Sequence, residues 1–436
     1  MTMILTTIKR ATVVAALSML VAGCKDTLSV TNPQAFTNAA LENTRILQSV
    51  ADGAEGLLQQ NFDGLIVFTG LLSDEIEDSS TWIDWADVSL GRIRGDWPSA
   101  PGFASTQDGI FRARFAAQDA QARIARVLGA DASKSSMTAQ VQTVDAWADL
   151  YLGMGWCEAT LVPGGVRAND TELIKQSITK FTAAMATAQT ANATAILNWA
   201  RAGRARANLY AGNYDAAAAD AAAVPSGFLK QAQYSVNSTV SFTGSQLNQN
   251  RNRSGTLRRL WWPMVDTTGN DAASVADQFV KDPYSLQADP RMAVLHTRGR
   301  LGVNNSTLYY GFQKYKDYTS AITMTSKREM NLIEAEVAWR KADLATAVAK
   351  LNIDRAAQNL APFPGTLTAQ EVQDRVLSER FAVMFVEGTR LMDLNRFGLV
   401  TARLGTGRAM KLPLSRNEIL NNVNMKQGDA ACPKIS

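Results

Sequence analysis

The chain has 436 residues, of which 46% are hydrophobic and 19% charged, so it can bury the core of one large domain or two. Its formal net charge of +4 leaves no electrostatic footprint for nucleic acid. One histidine, His296, and three cysteines without a Cys-x-x-Cys pair remove most candidates for zinc sites and for Ser-His or Cys-His catalysis.

At the N-terminus, Lys9 and Arg10 precede an apolar run from Ala11 to Ala22, then Gly23 and Cys24. A basic start, about a dozen apolar residues and a small residue at the cut describe a secretory signal, too short to span a bilayer. Val21-Ala22-Gly23-Cys24 resembles a bacterial lipobox, which implies that residues 1–23 are removed and that Cys24 is acylated. Acyl chains enter a leaflet at ~0.8 kcal/mol per buried CH₂, so the membrane is reached through the anchor alone. Lys25 follows the cysteine where inner-membrane retention signals usually carry Asp. Residues 1–23 hold Lys9 and Arg10 and no acid, so cleavage takes the net charge from +4 to +2.

Residues 35–62 read as a helix or a broken pair, with Leu41, Ile46, Leu47, Val50, Ala54, Leu57 and Leu58 on one side. Leu65–Ile76 can continue it into an acidic end of Asp74, Glu75, Glu77 and Asp78. A solvated helix end or cap is expected there, with calcium binding as the alternative. Helices follow over 108–128 and 137–159. Cys157 lies in the apolar pattern of the second and is expected to be a buried thiol, with a disulfide to Cys432 as the alternative. Residues 171–189 and 193–211 can pair, and Gly212-Asn213-Tyr214 turns the chain into Asp215–Ala223. A second unit runs from Glu329–Glu336 through Lys341-Ala342-Asp343 to Leu344–Ala357. Small residues at the contacts follow the logic of tetratricopeptide-like hairpins. Between the units, 225–320 is rich in Gly, Asn, Arg and aromatics, with strand-like runs such as Leu308–Phe312. Gly405-Thr406-Gly407 reads as a turn, and neither a Gly-x-Ser-x-Gly elbow nor a phosphate-binding loop occurs.

Residues 379–398 read as an amphipathic helix, with an apolar stripe through Leu377, Phe381, Met384, Phe385, Leu391 and Met392. Glu387, Arg390, Asp393 and Arg396 follow at steps of three, as an expected ladder of surface ion pairs contributing ~0–1 kcal/mol each. Gly388 implies a kink or close packing and Gly398 a helix stop.

The order Glu379-Arg380, Glu387-Gly388-Thr389-Arg390, Asp393-Leu394-Asn395-Arg396, Phe397-Gly398 resembles the C-terminal signature of SusD/RagB proteins, although Val383 and Leu391 depart from its usual glutamate and aromatic. The start Cys24-x-Asp26-x-Leu28 with Asn32-Pro33 is similar to the family's, as is the close Pro413, Glu418-Ile419 and Asn421-Asn422. The resemblance implies a mainly α fold, with tetratricopeptide-like hairpins over about 35–223 and 326–398 supporting a loop-rich, ligand-facing region over about 225–325 with few short strands. Residues 24–436 then form one SusD-like domain. It further implies a lipoprotein of the outer membrane, exposed at the cell surface, that captures nutrient and delivers it to a SusC-like TonB-dependent transporter. The ligand is an oligosaccharide or a peptide, and no cofactor, metal, nucleic acid or catalytic residue is expected. The signature residues Glu379, Arg380, Glu387, Gly388, Arg390, Asp393, Arg396 and Gly398 are expected to be structural.

A sugar ring stacks its apolar face on aromatics while its hydroxyls need polar partners. Trp82, Trp85 and Trp97, interleaved with Asp84, Asp87, Arg92, Arg94 and Asp96, suit that chemistry, with Trp261, Trp262, Tyr309 and Tyr310 as further candidates. Two other classes remain open: a helical-repeat envelope lipoprotein that scaffolds other proteins, and a lipid-anchored glycan hydrolase using two carboxylates.

Overall fold

The computed structural model describes residues 38–93, 101–235, 253–265, 278–315, 317 and 319–425. The lipidation candidate Cys24, the ligand candidate Trp97 and Cys432 lie outside them. Backbone contacts divide the chain between Asn43 and Thr44. Before that point the described structure is one helical turn, α1 (Asn38–Leu41); everything below belongs to the unit beginning at Thr44.

That unit is mainly helical. α2 (Leu47–Leu72) is amphipathic over its first half and buried without interruption from Phe62 to Leu72. α4 (Pro101–Leu128) and α5 (Ser136–Gly155) follow a short α3 (Ile83–Ser89). α5 is buried on nearly every face, as an all-round apolar helix must be, with Trp147 and Tyr151 at its centre. Helices α2, α4 and α6 (Asp170–Thr190) pack around it.

The expected hairpins are present. α6 pairs with α7 (Thr194–Tyr210), α7 with α8 (Tyr214–Ala223), and α9 (Lys327–Arg340) with α10 (Leu344–Ala357). All three turns share one backbone solution. The second residue after the helix is left-handed (Asn192 φ 55°, Gly212 φ 80°, Ala342 φ 60°). The next N–H then reaches back five residues: Ala193 to the Ala188 carbonyl (2.8 Å), Asn213 to Asn208 (2.8 Å), Asp343 to Ala338 (2.9 Å). This 6→1 bond of the Schellman type satisfies a helix-end carbonyl and reverses the chain. Small residues let the helices close up: a Cβ on Gly203 would stand 2.3 Å from the Phe181 ring. Although more than a hundred residues apart in sequence, the two hairpin sets share a core, where Ala202, Ala205, Ala217 and Ala221 meet Met330, Ile333 and Val337. A second core forms where α9 and α10 meet α11 (Ala369–Val383).

The middle of the chain contributes short antiparallel pairings. β1 (Ile76–Asp78) pairs with β5 (Gly255–Leu257), β2 (Glu158–Thr160) with β3 (Arg167–Asn169), and β4 (Leu229–Ala232) with β9 (Ile322–Ser326). β6 (Gln278–Lys281), β7 (Ala288–Leu295) and β8 (Gly311–Phe312) form a three-stranded sheet. Of the strand-like run 308–312, only the last two residues are strand, with an isolated bridge at Leu308. No described helix is long and apolar enough to cross a membrane.

Three local expectations are corrected. The segment 379–398 is two helices, α11 and α12 (Arg390–Arg396), broken between Met384 and Thr389. Val386 (φ 50°) and Gly388 (φ 76°) turn the chain there, and a Cβ on Gly388 would lie 3.2 Å from Ile66. The acidic end after α2 is not solvated: Ser73 caps the helix, and Asp74 and Glu75 are buried before β1 begins. Finally, α5 stops at Gly155, and the Cys157 N–H bonds to the Leu412 carbonyl (3.0 Å). Cys157 is half-buried and disulfide-bonded, not a buried thiol. Gly398 (φ 65°) is the helix stop the sequence indicates.

Candidate functional site

The candidate site starts from a run of local turns after β1. Asp78 accepts from the Ser80 N–H (3.0 Å) and hydroxyl (2.6 Å), and the Ser80 hydroxyl accepts from the Trp82 N–H (3.0 Å). Such short polar side chains bonding their own backbone fix a turn, and here they place Trp82 at the start of α3. Trp85, three residues on, points inward: it is 2% exposed and meets Phe68 edge to face. Trp82 packs edge-on against Trp85 (centroids 5.2 Å apart, 67°) and remains 40% exposed, beside Ile83 at 62%. Leu90 closes the same helix, also exposed.

Carboxylates flank this platform. Burial pushes Asp78 up to about 6, with its Ser80 hydrogen bonds pulling the other way and Asp84 and Glu77 adding like charge. Asp84 is raised by burial against hydrogen bonds from the Trp85 and Gly102 backbone, and Asp87 is raised by burial against the charge of Arg92. A ring face with hydrogen-bonding carboxyls at its side suits a ligand that is apolar on one face and hydroxylated at its rim.

Arg258 ties this corner together. Its Nη2 donates to the carbonyls of Leu71 (2.8 Å), Ile76 (3.0 Å) and Ser89 (3.1 Å), joining the ends of α2, β1 and α3. Next to it Arg259 pairs with Glu77 (Nε–Oε1 2.8 Å) at the surface.

The other aromatic candidates are used internally. Trp261 lies in a 3-10 turn (Arg259–Met264), stacks on Phe381 (4.3 Å, 11°), and donates its indole N–H to the Asp74 carbonyl (2.8 Å). Trp262 stacks on Tyr310 (4.9 Å, 19°), which stacks on His296 (3.9 Å, 8°), and the Trp262 indole donates to the Leu257 carbonyl (2.7 Å). Tyr309 is fully buried. The structure therefore joins Trp82 to Trp85 and Trp262 to Tyr310, and leaves Trp82 as the most open of the described candidates. The exposed Ile83 and Leu90 and the Asp78–Ser80 turn were missed from sequence. The signal was an Asp-x-Ser turn just before a helix, but exposure has no local signature.

The signature residues are buried ion pairs, contrary to the expected surface ladder. Burial pushes the Asp74 carboxyl up, but Arg390, bound to it through two bonds (2.6 and 2.7 Å), outweighs that and lowers it below its ordinary value. Glu379 accepts from Arg291 (2.5 Å) and Arg355 (2.7 Å). Arg380 donates to Asp393 (2.8 Å), and Arg396 bridges Asp393 (2.8 Å) and Glu336 (2.6 and 2.9 Å). Glu387 accepts from Lys314 (2.6 Å). Only Asp393–Arg396 realises the three-residue step, because the break at 384–389 sends each other charge to a different element. These pairs join segments that lie apart in sequence. Each of the four acids after α2 likewise has its own partner, and among the described residues no group of three His, Cys, Asp or Glu side chains is placed to hold a metal.

The architecture matches solved structures along nearly its whole length. A SusD-like protein from Bacteroides fragilis superposes with a TM-score of 0.66 at 11% identity, covering 90% of this chain and 98% of that one. A SusD superfamily protein from Parabacteroides distasonis gives 0.66 at 12%, covering 88% and 99%.

The chain has the SusD-like fold.

A SusD-like carbohydrate binding protein from Bacteroides vulgatus also shares this fold, with a TM-score of 0.60 at 13% identity over 81% of this chain and 83% of that one. No family model matches the sequence, and no curated protein matches it. At such low identity the likeness is one of fold alone.

Proposed function

We propose that this protein is a lipid-anchored capture protein of the outer membrane, which binds an oligosaccharide at the Trp82 surface and passes it to a SusC-like TonB-dependent transporter. The observation that carries the reading is a SusD-like fold over the length of the chain, shared with a protein described as carbohydrate binding. The anchor follows from Cys24 in its lipobox-like setting. The helical hairpins over about 35–223 and 326–398 serve as the scaffold, and the loop-rich region over about 225–325 contributes to the ligand-facing side. Binding is noncovalent: the sugar stacks on Trp82, while Asp78, Asp84 and Asp87 accept hydrogen bonds from its hydroxyls. No bond is made or broken.

Solubilising the native outer membrane in mild detergent and capturing this protein tests the transport role. A large TonB-dependent barrel in stoichiometric amount is the expected co-purifying partner. Recovery of other envelope proteins without a barrel would support the scaffold alternative instead. For the site, Trp82→Ala is expected to weaken glycan binding about ten- to hundredfold in calorimetric titration, since a stacked ring contributes ~0.5–1.5 kcal/mol beyond its buried area. Trp262→Ala, which removes a ring stacked within the protein, is expected to lower stability more than affinity. Unchanged affinity in the Trp82 variant would move the ligand site elsewhere.

A further inference from the structure

A cavity of about 370 Å³ lies at the base of the β2–β3 hairpin, bordered by Glu158, Asn169, Asp170 and Asn395, with Met410 and Lys411 added from later in the chain. We propose that it is a second ligand site, taking a small uncharged polyol of the size of a sugar ring. None of these residues belongs to the Trp82 surface, and the assignment does not depend on that surface binding anything. Ligand cavities run from roughly 300 to 1,000 Å³, so the occupant of this one is small.

Its walls are fixed by the backbone. The Leu412 N–H donates to the Gly155 carbonyl (2.9 Å) and the Cys157 N–H to the Leu412 carbonyl (3.0 Å), which holds Met410 and Lys411 against the end of α5. Asn395 lies in α12 between Asp393 and Arg396, which pair with each other (2.8 Å).

Charge restricts what can enter. Two acids border the cavity and each already has its cation: Asp170 Oδ2 accepts from Lys411 Nζ (2.5 Å), and Glu158 Oε2 pairs with Arg167 Nε (2.8 Å). Lys411 Nζ also donates to the Gly153 carbonyl (2.6 Å). A ligand carboxylate or ammonium would give up its hydration and find no opposite charge left to meet it. A neutral ligand avoids that cost.

Hydrogen bonding narrows the class further. Asn395 Nδ2 donates to the Met410 carbonyl (2.9 Å), and this sets the amide's orientation, because the flipped amide would put oxygen against oxygen. Its Oδ1 is then buried with no hydrogen-bond partner among the described residues. A buried acceptor of this kind calls for a donor, and a ligand hydroxyl supplies one. The carboxylates of Asp170 and Glu158 keep lone pairs for further hydroxyls. Met410 and the disulfide-bonded Cys157 contribute apolar surface, and Cys157 brings no thiol. Acceptors beside apolar surface, with no net charge, match a ring that carries hydroxyls at its rim and C–H bonds on its face.

The full-length protein carrying ¹³C-methyl methionine gives the test by NMR. The Met410 methyl signal, assigned through Met410→Leu, is followed while D-glucose, D-galactose, N-acetyl-D-glucosamine or glycerol is added into the tens of millimolar. A saturable shift is expected with at least one of the four, and none with acetate or methylammonium. Trp82→Ala is expected to keep this response, so the site stands even where the Trp82 surface proves silent. In Asn395→Leu, with folding checked by circular dichroism, affinity is expected to fall about tenfold, as the loss of one buried hydrogen bond implies. Should that variant not fold, Asp170→Asn leaves Lys411 without its carboxylate and is expected to bring in a response to acetate. A Met410 signal unmoved by all four polyols, or moved equally by the charged probes, would overturn the proposal. So would loss of the response in Trp82→Ala, which would make the shift a distant effect of the Trp82 surface.

Discussion

Asp393→Ala is expected to destabilise the protein by about 3–5 kcal/mol, read as a large drop in the urea midpoint at unchanged slope. Asp393 is buried and accepts from Arg380 Nε and Arg396 Nη2, both at 2.8 Å. Arg380 is itself fully buried; among the described residues its Nη1 and Nη2 have no hydrogen-bond partner, and its other carboxylate contact is Glu336 at 4.0 Å. Removing Asp393 therefore strands a guanidinium in the interior. The cost is that of an uncompensated buried charge, which exceeds the net contribution of the pair when intact. Domains are stable by only about 5–15 kcal/mol, so the variant should sit near the edge of folding. Arg259→Ala is the control: its pair with Glu77 has Arg259 67% exposed, and its loss should cost less than about 1 kcal/mol. Equal small losses in both variants would mean that the signature pairs are solvated after all.

Glu75→Gln is expected to act in the opposite direction, stabilising the protein by about 3 kcal/mol at pH 7. Glu75 is wholly buried between β1 and the 384–389 break, where its Oε1 accepts the Val386 N–H (2.7 Å) and its Oε2 has no partner among the described residues. Burial pushes its carboxyl up to about 8. The Val386 hydrogen bond and the charges of Arg390 and Lys314 oppose the rise, and Asp74 adds to it. The folded state then holds a proton that the unfolded chain, at an ordinary 4.5, has released. Stability from this group is complete below about pH 4.5 and is lost as pH rises towards 8, at about 1.36 kcal/mol per pH unit. An amide keeps the acceptor for Val386 and cannot ionise, so the variant should lose this slope. Urea unfolding at pH 4.5, 6 and 7.5 separates the outcomes: the two proteins should converge at the acid end and diverge above it. Parallel curves would show that Glu75 ionises in the fold as freely as in the unfolded chain.

Such a group is at odds with stability at neutral pH, and its position suggests why it is tolerated. The chain must reverse at Val386 and Gly388, which leaves a backbone N–H buried at the break. An unpaired buried donor costs about 1–3 kcal/mol, and Glu75 supplies its acceptor.

Much of the fold was legible in sequence because it depends on local rules. The hairpins of 170–223 and 327–357 announced themselves through helical period and small residues at the contacts, and their turns through Gly212-Asn213 and Ala342-Asp343. Gly388 was readable as a kink or close approach, though not as a full break, and Gly398 as a stop, because few other residues tolerate a left-handed backbone. The sequence also determined the order of charges at 379–396, and with it the resemblance that names the fold. What it could not determine was where each charge goes. Arg390 meets Asp74 across more than three hundred residues, and Arg206 meets Glu329 across more than a hundred. A periodic pattern reports which residues share a helix face, not whether that face ends in water or in another helix. For the same reason seven aromatic candidates looked alike, yet tertiary packing stacked Trp261 on Phe381 and Trp262 on Tyr310, buried Trp85 and Tyr309, and left Trp82 in the open. Chemistry and local conformation are properties of neighbours along the chain. Burial, pairing and exposure are properties of neighbours in space, and only the assembled structure decides them.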